Sequence, residues 1–352
     1  MSKKVFVGLS GGVDSSVAAL QLLQQGYDVV GVFIKVWHPE FLPCNWEQER
    51  RDAMRVAAHL GIPFLTCDAE AAYKNQVADY FITEYQAGRT PNPDVMCNKY
   101  VKFGTFMQFA EEHNADYVAT GHYAQVRKDS SEYQLLRGID DNKDQSYFLW
   151  TLTQTQLNKV LLPVGSWRKE DIRAYAEKHN IPTANKRDSQ GICFLGQVDI
   201  ESFLKEFIPI APGNVCAEDG TVIGNHNGAI TYTIGQRHGF VITNHQFTQK
   251  ALYIQNIDPV ANTITVGETE PKILSGTELK LANCNQIIKW RNGDEVDIQT
   301  RYRQKPIPGV ILSSDNQSAI VKLNTDTTKP AIGQSCVLYK GSICLGGGII
   351  NS

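Results

Sequence analysis

Several quick routes to a functional class are closed to this 352-residue chain. Its eight cysteines contain no C-x-x-C pair, so the usual zinc spacings are missing. No apolar run approaches the ~20 residues that span a bilayer, and no signal-peptide-like apolar stretch opens the chain. We therefore expect a cytoplasmic protein with reduced and mostly buried thiols. The formal net charge is only −3, so any surface for nucleic acid must be a local patch. No internal repeat or low-complexity tract is evident. What remains is an ordinary globular composition, 42% hydrophobic and 20% charged, long enough for two or three domains at ~150 residues each.

The first informative stretch is SGGVDSS at 10–16. An apolar run from Lys4 to Leu9 suits a buried strand, and a helical pattern follows to Gln25, stopped by Gly26. The motif thus predicts a strand–turn–helix corner, where unpaired amides and the positive end of the helix dipole favour phosphate. Two commoner phosphate signatures do not fit. No Lys follows the glycines as a Walker loop requires, and Gly8 to Gly12 do not supply G-x-G-x-x-G. The plain alternative is a Ser-capped helix after a glycine turn, with Asp14 favouring the dipole.

Strand candidates Val29–Lys35, Phe64–Cys67 and Tyr117–Thr120 alternate with helical patterns at Trp46–Leu60, Ala71–Ala87 and Lys99–His113. That rhythm predicts an α/β fold, a doubly wound parallel sheet with ligands beyond the carboxyl ends of its strands. Then Gln125–Arg137 reads as a hairpin and Trp167–Asn180 as a helix. Beyond about Phe207, turns separate short strands: Ala229–Ile234, Ala251–Ile257, Thr263–Gly267, Val296–Tyr302, Gly309–Leu312, Ala319–Leu323 and Cys336–Tyr339. We expect an N-terminal domain over 1–206, a small central β-rich domain over 207–268 and a C-terminal β-barrel over 269–352.

Two loops pair polar residues with a cysteine. In GRTPNPDVMCN (88–98), Pro91 and Pro93 predict a stiff, extended loop presenting Asn92, Asp94 and Cys97. A thiol near a following helix start would be acidified by the dipole; a Pro-terminated linker is the bland reading. In KRDSQGICF (186–194), Lys186 and Arg187 would favour thiolate at Cys193, against a simple buried Cys beside Ile192 and Phe194. The charged turn Asp140–Tyr147 and the Thr120-Gly121-His122 strand end are further candidates, each equally readable as solvated turn or packed histidine.

In this order, SGGVDSS, GRTPNPDxxCN, ATGHY, KDQSYFL, KRDSQGICF and TIGQRHG resemble the tRNA-specific 2-thiouridylases, members of the ATP-pyrophosphatase superfamily. The match runs through nearly the whole chain. It implies an adenine-nucleotide α-hydrolase-like fold and thiolation of the wobble uridine of tRNA. Gly8, Leu9, Ser10, Gly11, Gly12, Val13, Asp14 and Ser15 would bind ATP phosphates, with Ile34 and Gly121 on adenosine. The family often has Met where Ile34 stands. Asn92, Pro93 and Asp94 would touch the target uracil, with Cys97 as nucleophile and Cys193 as persulfide carrier. His122, Lys143, Asp144, Gln145, Arg301, Tyr302 and Gln334 would face tRNA. The basic strip from Arg301 to Lys305, with its aromatic, suits that role; Trp167-Arg168-Lys169 is a second.

The residue types agree with this chemistry. The uracil 2-oxygen leaves poorly, so ATP must adenylate it first, with Mg²⁺ offsetting phosphate charge and Asp14 a water-mediated contact. No dedicated protein metal site is expected. Sulfur would arrive as a Cys193 persulfide, from a desulfurase or a relay protein. Cys97 would either liberate sulfide or leave the terminal sulfur to attack directly, and a Cys97–Cys193 disulfide is the natural by-product. Asp94 beside the base could move protons. The tRNAs implied are those for Lys, Glu and Gln, and the enzyme is expected to act as a monomer. The competing readings are another adenylating enzyme of the superfamily and a non-catalytic protein that binds ATP and RNA.

Overall fold

The computed structural model describes residues 2–42, 46–187 and 200–352. Apolar runs make the first strands: β1 (Lys4–Gly8) and β2 (Asp28–Lys35) are buried along their middles, and β3 (Phe64–Asp68) and β4 (Tyr117–Ala119) follow. After the hairpin β5 (Ala124–Asp129) and β6 (Glu132–Arg137) comes the short β7 (Val160–Leu161). The parallel order is β3-β2-β1-β4-β7. The chain leaves β1 in one direction through β2 and β3, then returns to its other side with β4. A crevice therefore opens beyond the carboxyl ends of β1 and β4, the expected place for a ligand. Helices α1 (Val13–Gln24) and α2 (Trp46–Leu60) follow β1 and β2. A further helix runs through Glu70–Tyr73, a π-helical turn at Lys74–Ala78 and Asp79–Gln86.

The chain then forms a five-stranded central sheet, in the order Phe240–Ile242, Val222–His226, Gly213–Cys216, Thr263–Gly267, Tyr253–Asp258. The expected strand over Ala229–Ile234 is not there. Ala229–Thr231 is a 3₁₀ turn whose Thr231 hydroxyl donates to the Gly228 carbonyl, so local side-chain bonding outweighs the alternating pattern.

Six antiparallel strands close into the C-terminal barrel: Glu278–Gln286, Ser318–Leu323, Ile307–Ser314, Glu295–Gln299, Ser335–Lys340 and Ile343–Ile350, which pairs back to the first. The N-terminal hairpin joins this sheet, Leu136 opposite Ile343 and Leu135 opposite Cys344. As a result one buried cluster runs from Phe6 and Val32 through Tyr147 and Trp150 to Val337 and Tyr339. Among the described residues, no helix is long and apolar enough to cross a membrane.

Candidate functional site

The SGGVDSS corner holds itself together. Leu9 N–H donates to the Val32 carbonyl at 2.7 Å, rooting the turn in the sheet, and Gly11 turns the chain at φ +69°. Ser15 Oγ accepts from the Ser10 amide at 3.3 Å and donates to the Gly12 carbonyl at 3.1 Å, while Ser16 Oγ donates to the same carbonyl at 2.8 Å. Leu9 and Val13 are buried, so they can offer a ligand only backbone. Gly121, at the end of β4, lies so close that a Cβ there would come within 2.6 Å of the Ser15 nitrogen. Ile34 closes another side, its Cδ1 in van der Waals reach of a side chain at Gly8. The nucleotide candidates are thus gathered at one sheet edge.

Two lysines accompany this corner. Lys169 Nζ, largely buried, lies 2.7 and 2.9 Å from the carboxylate oxygens of Asp14, which also accepts from Tyr123 Oη at 2.7 Å. Lys169 opens the helix Lys169–Lys178, and its own amide donates to Asp140. Lys186 Nζ pairs with Asp52 at 2.8 Å. Beside it, burial pushes the Glu49 carboxyl up, against the pull of Lys186. The sequence flagged both lysines, one as an RNA strip and the other as a thiol activator. Their place near Gly11 and Asp14 follows from the fold alone.

The Cys97 segment departs from expectation. It is no extended loop: a helix starts at Pro93, capped by Asn92 Oδ1 accepting from the Val95 amide at 3.3 Å. Proline suits the first helical position because its missing N–H would go unpaired there anyway. The helix continues through a π-helical stretch at Cys97–Thr105 into Phe106–Glu112. Cys97 therefore lies a full turn inside the helix rather than at its start, where the dipole acts most strongly. It is also buried, 2% exposed within the main apolar cluster, where an accessible polar position was expected. One turn on, Lys102 Nζ lies 3.4 Å from His122 Nε2, and His122 Nδ1 meets Thr120 Oγ1 at 2.7 Å. Burial, aided by Lys102, holds His122 well below its ordinary pKa, so the imidazole is neutral.

The tRNA candidates converge on the seam between the first domain and the barrel, but several face inward. His122 is buried as described. Asp144, also buried, accepts from Arg137 Nη1 at 2.8 Å, from the amides of Gly138 and Ser146 and from Ser146 Oγ. Gln145 exchanges bonds with Tyr123, its Oε1 accepting from the Tyr123 amide at 2.9 Å. Gln334 Nε2 donates to the carbonyls of Thr90 and Pro91 at 3.1 and 3.2 Å. Arg301 Nη2 donates to Ile234 and Lys329 carbonyls, and the Tyr302 ring packs 4.5 Å from Phe148. The reasons differ. Gln334 and Arg301 reach across the seam to pair backbone carbonyls, whereas His122, Asp144 and Gln145 find their partners within the N-terminal part. Lys143 is half-buried, while Arg303 keeps its guanidinium over the Tyr302 ring.

Cys193 lies outside the described residues. The chain approaches it from beside the phosphate corner: Thr183 Oγ1 is 3.3 Å from Ser16 Oγ, and Arg173 holds the Ala184 and Lys186 carbonyls. Of the other thiols, burial pushes Cys67 up to about 11 and Cys284 and Cys344 to about 12, which makes them poor nucleophiles. Among the described residues no three His, Cys, Asp or Glu side chains are grouped to hold a metal.

Three family models match in sequence: a tRNA methyl transferase HUP domain over 3–197, a tRNA methyl transferase PRC-barrel domain over 201–268 and an aminomethyltransferase beta-barrel domain over 277–350. Relatives align end to end. A protein of Enterococcus faecalis named tRNA-specific 2-thiouridylase is 43% identical, the alignment covering 99% of this chain and 95% of the relative. Proteins of the same name from Shewanella amazonensis and Lacticaseibacillus paracasei are 41% and 42% identical, covering 100% and 99% of this chain and 95% and 94% of theirs.

Proposed function

The chain belongs to the family of tRNA-specific 2-thiouridylases, and from that premise we propose that it is an ATP-dependent tRNA-uridine 2-sulfurtransferase acting in the cytoplasm on the wobble uridine. The observation that carries the reading is 43% identity over 99% of the chain to a protein of that name, in a chain whose self-held Ser–Gly corner sits at the sheet edge where ATP would bind. The word methyltransferase in two domain descriptions is outweighed by the name that the full-length relatives share.

In this reading, residues Gly8–Ser15, Ile34 and Gly121 hold ATP, and the uracil 2-oxygen attacks its α-phosphate, expelling pyrophosphate. Lys169, held by Asp14, stands ready to neutralise phosphate charge, so Asp14 acts largely through Lys169. Mg²⁺ would offset further phosphate charge. The aspartates beside the turn, Asp14 and Asp52, are each already paired with a lysine, so the ion would be held chiefly by phosphate and water rather than by the protein. Asn92, Pro93 and Asp94 contact the base, and Asp94 moves its proton. The terminal sulfur of a Cys193 persulfide then replaces the adenylated oxygen and AMP departs. Either that sulfur attacks carbon 2 directly and the Cys97 thiolate then attacks the Cys193 sulfur, releasing the 2-thiouridine sulfur from it, or Cys97 first displaces the terminal sulfur as sulfide; both leave a Cys97–Cys193 disulfide that an external thiol must reduce. The RNA lies along Lys143, Tyr302 and the Arg301–Lys305 strip, with Asp144, Gln145, His122 and Gln334 framing it from within. Its acceptors are the tRNAs for Lys, Glu and Gln, its sulfur donor a desulfurase or relay protein, and the working unit a monomer with domains over 1–206, 207–268 and 269–352.

The test is reconstitution. Purified protein, ATP, Mg²⁺, unmodified tRNA and a persulfide donor should give 2-thiouridine by mass spectrometry and tRNA-dependent pyrophosphate release. Absence of both products with a folded protein refutes the assignment.

A further inference from the structure

A four-residue segment of the barrel, Ile332 to Ser335, grips both loops that frame the site. The Ile332 carbonyl accepts from the Thr90 amide at 2.9 Å, and Gln334 Nε2 donates to the carbonyls of Thr90 and Pro91. The Ser335 carbonyl accepts from Tyr147 Oη at 2.9 Å, and its hydroxyl from Trp150 Nε1 at 3.1 Å. The central domain joins in, with Thr233 Oγ1 3.3 Å from Thr90 Oγ1. Thr90 and Pro91 directly precede Asn92, which caps the helix that carries Asp94 and Cys97. The start of the Cys97 helix is therefore fixed by two other domains, through contacts more than 140 positions away along the chain.

We infer that Gln334 is a positioning residue. Its side-chain amide pins the carbonyls ahead of Asn92 and so sets where the Cys97 helix begins. This rests on the sulfurtransferase reading for its role in turnover, but the placement is a property of the free protein. The argument is one of geometry. A single amide nitrogen satisfies two successive carbonyls of a Pro-flanked turn that has few other donors. Without it the turn keeps the Thr90–Ile332 backbone bond but loses the side-chain tie on its two carbonyls, and Cys97, 2% exposed, gains routes to solvent by local opening. RNA bound on the barrel would act on the same segment, so loading of substrate and placement of the thiol are mechanically linked.

The experiment is site-resolved alkylation of the full-length protein without RNA, with iodoacetamide and peptide mass spectrometry. Gln334→Ala and Gln334→Glu should each raise the labelling rate of Cys97 about tenfold, with Cys67 labelling unchanged. A glutamate side chain has the size of glutamine but offers an oxygen where the donor was. If Gln334→Glu behaved as wild type while Gln334→Ala did not, packing and not the amide would be responsible and the inference would fall. A residue that merely touched RNA would leave RNA-free labelling unchanged, which also overturns it. Parallel rises at Cys67 would indicate general loosening and count equally against it. In turnover, both variants should lower kcat for 2-thiouridine several-fold with KM for ATP unmoved. Should the protein make no 2-thiouridine at all, the labelling result stands independently.

Discussion

The SGGVDSS corner and the Cys97 helix each carry candidate reactive groups, and they are held in opposite ways. Every hydrogen bond that shapes SGGVDSS from within links residues at most five positions apart. The Cys97 helix instead takes its start from Thr90 and Pro91, tied to Gln334 and Thr233 in the two later domains. A corner of the first kind is rebuilt wherever its sequence appears on a strand–helix junction. A site of the second kind exists only once the whole molecule has assembled. The turn of the Ser–Gly corner is thus shaped locally, while its lysines and the placement of the thiol depend on the rest of the molecule.

The sharpest way to test that division is to remove each region's reactive group. Cys97→Ser should reduce 2-thiouridine formation to background yet leave tRNA-dependent pyrophosphate release intact, both measured on the same samples. If pyrophosphate release also vanished, the two half-reactions would not be separable by region. Next in size, Lys169→Ala should slow pyrophosphate release about 10²-fold, as expected for losing one charge-stabilising donor. Asp14→Ala should do nearly the same, and the double variant little more, because the two act as a pair. Additive losses would mean that Asp14 works independently of Lys169.

His122 joins the two regions, and its effect should be moderate. Burial, with Lys102 beside it, depresses its pKa far below the ordinary 6.5. The native state therefore resists taking a proton that the unfolded chain accepts. Its contribution to stability is full above about pH 6.5 and is lost as pH falls below that. His122→Gln should flatten the fall in Tm between neutral and acid pH by about 2 °C or more, read by calorimetry. An unaltered pH profile would show that the ring protonates freely. The smallest effect belongs to Arg303→Ala, whose guanidinium stays with the neighbouring Tyr302 side chain, over its ring. It should lower the salt slope of tRNA binding by about one unit with Tm unchanged. Arg301→Ala should lower Tm as well, since its guanidinium bridges Ile234 and Lys329 carbonyls.

The same division explains what could be read from the sequence. The corner, the parallel sheet and the barrel were legible because periodicity and turn chemistry are local. The helix start at Pro93 was legible in principle: Asn, Pro and Asp at 92–94 are a cap, a first helical residue and a first-turn acid, though the two prolines read as a stiff loop. Asp144, Gln145 and Gln334 stand out in the sequence as polar residues with a purpose, yet one that faces RNA and one that ties a seam carry the same signal. The barrel strand Ile343–Ile350 escaped notice because Gly346, Gly347 and Gly348 have poor strand propensity. They are needed there because the closing strands approach too closely for side chains: a Cβ at Gly347 would come within 2.4 Å of the Cys336 carbonyl oxygen.

That glycine-rich strand has a consequence for how the protein is made. Ile343–Ile350 pairs with three separate strands, Glu278–Gln286, Ser335–Lys340 and the hairpin strand β6. A ribosome delivers β6 early, at residues 132–137, and must add most of the remaining polypeptide before its partner emerges. At ~5–20 residues per second that interval is on the order of ten seconds or more. Throughout it the hairpin shows an open edge, and the nascent barrel two more, each able to pair with a neighbouring chain. Glu132 and Arg137 place charge at the two ends of the waiting strand β6. Synthesis, rather than the finished molecule, is where this architecture is most exposed to aggregation.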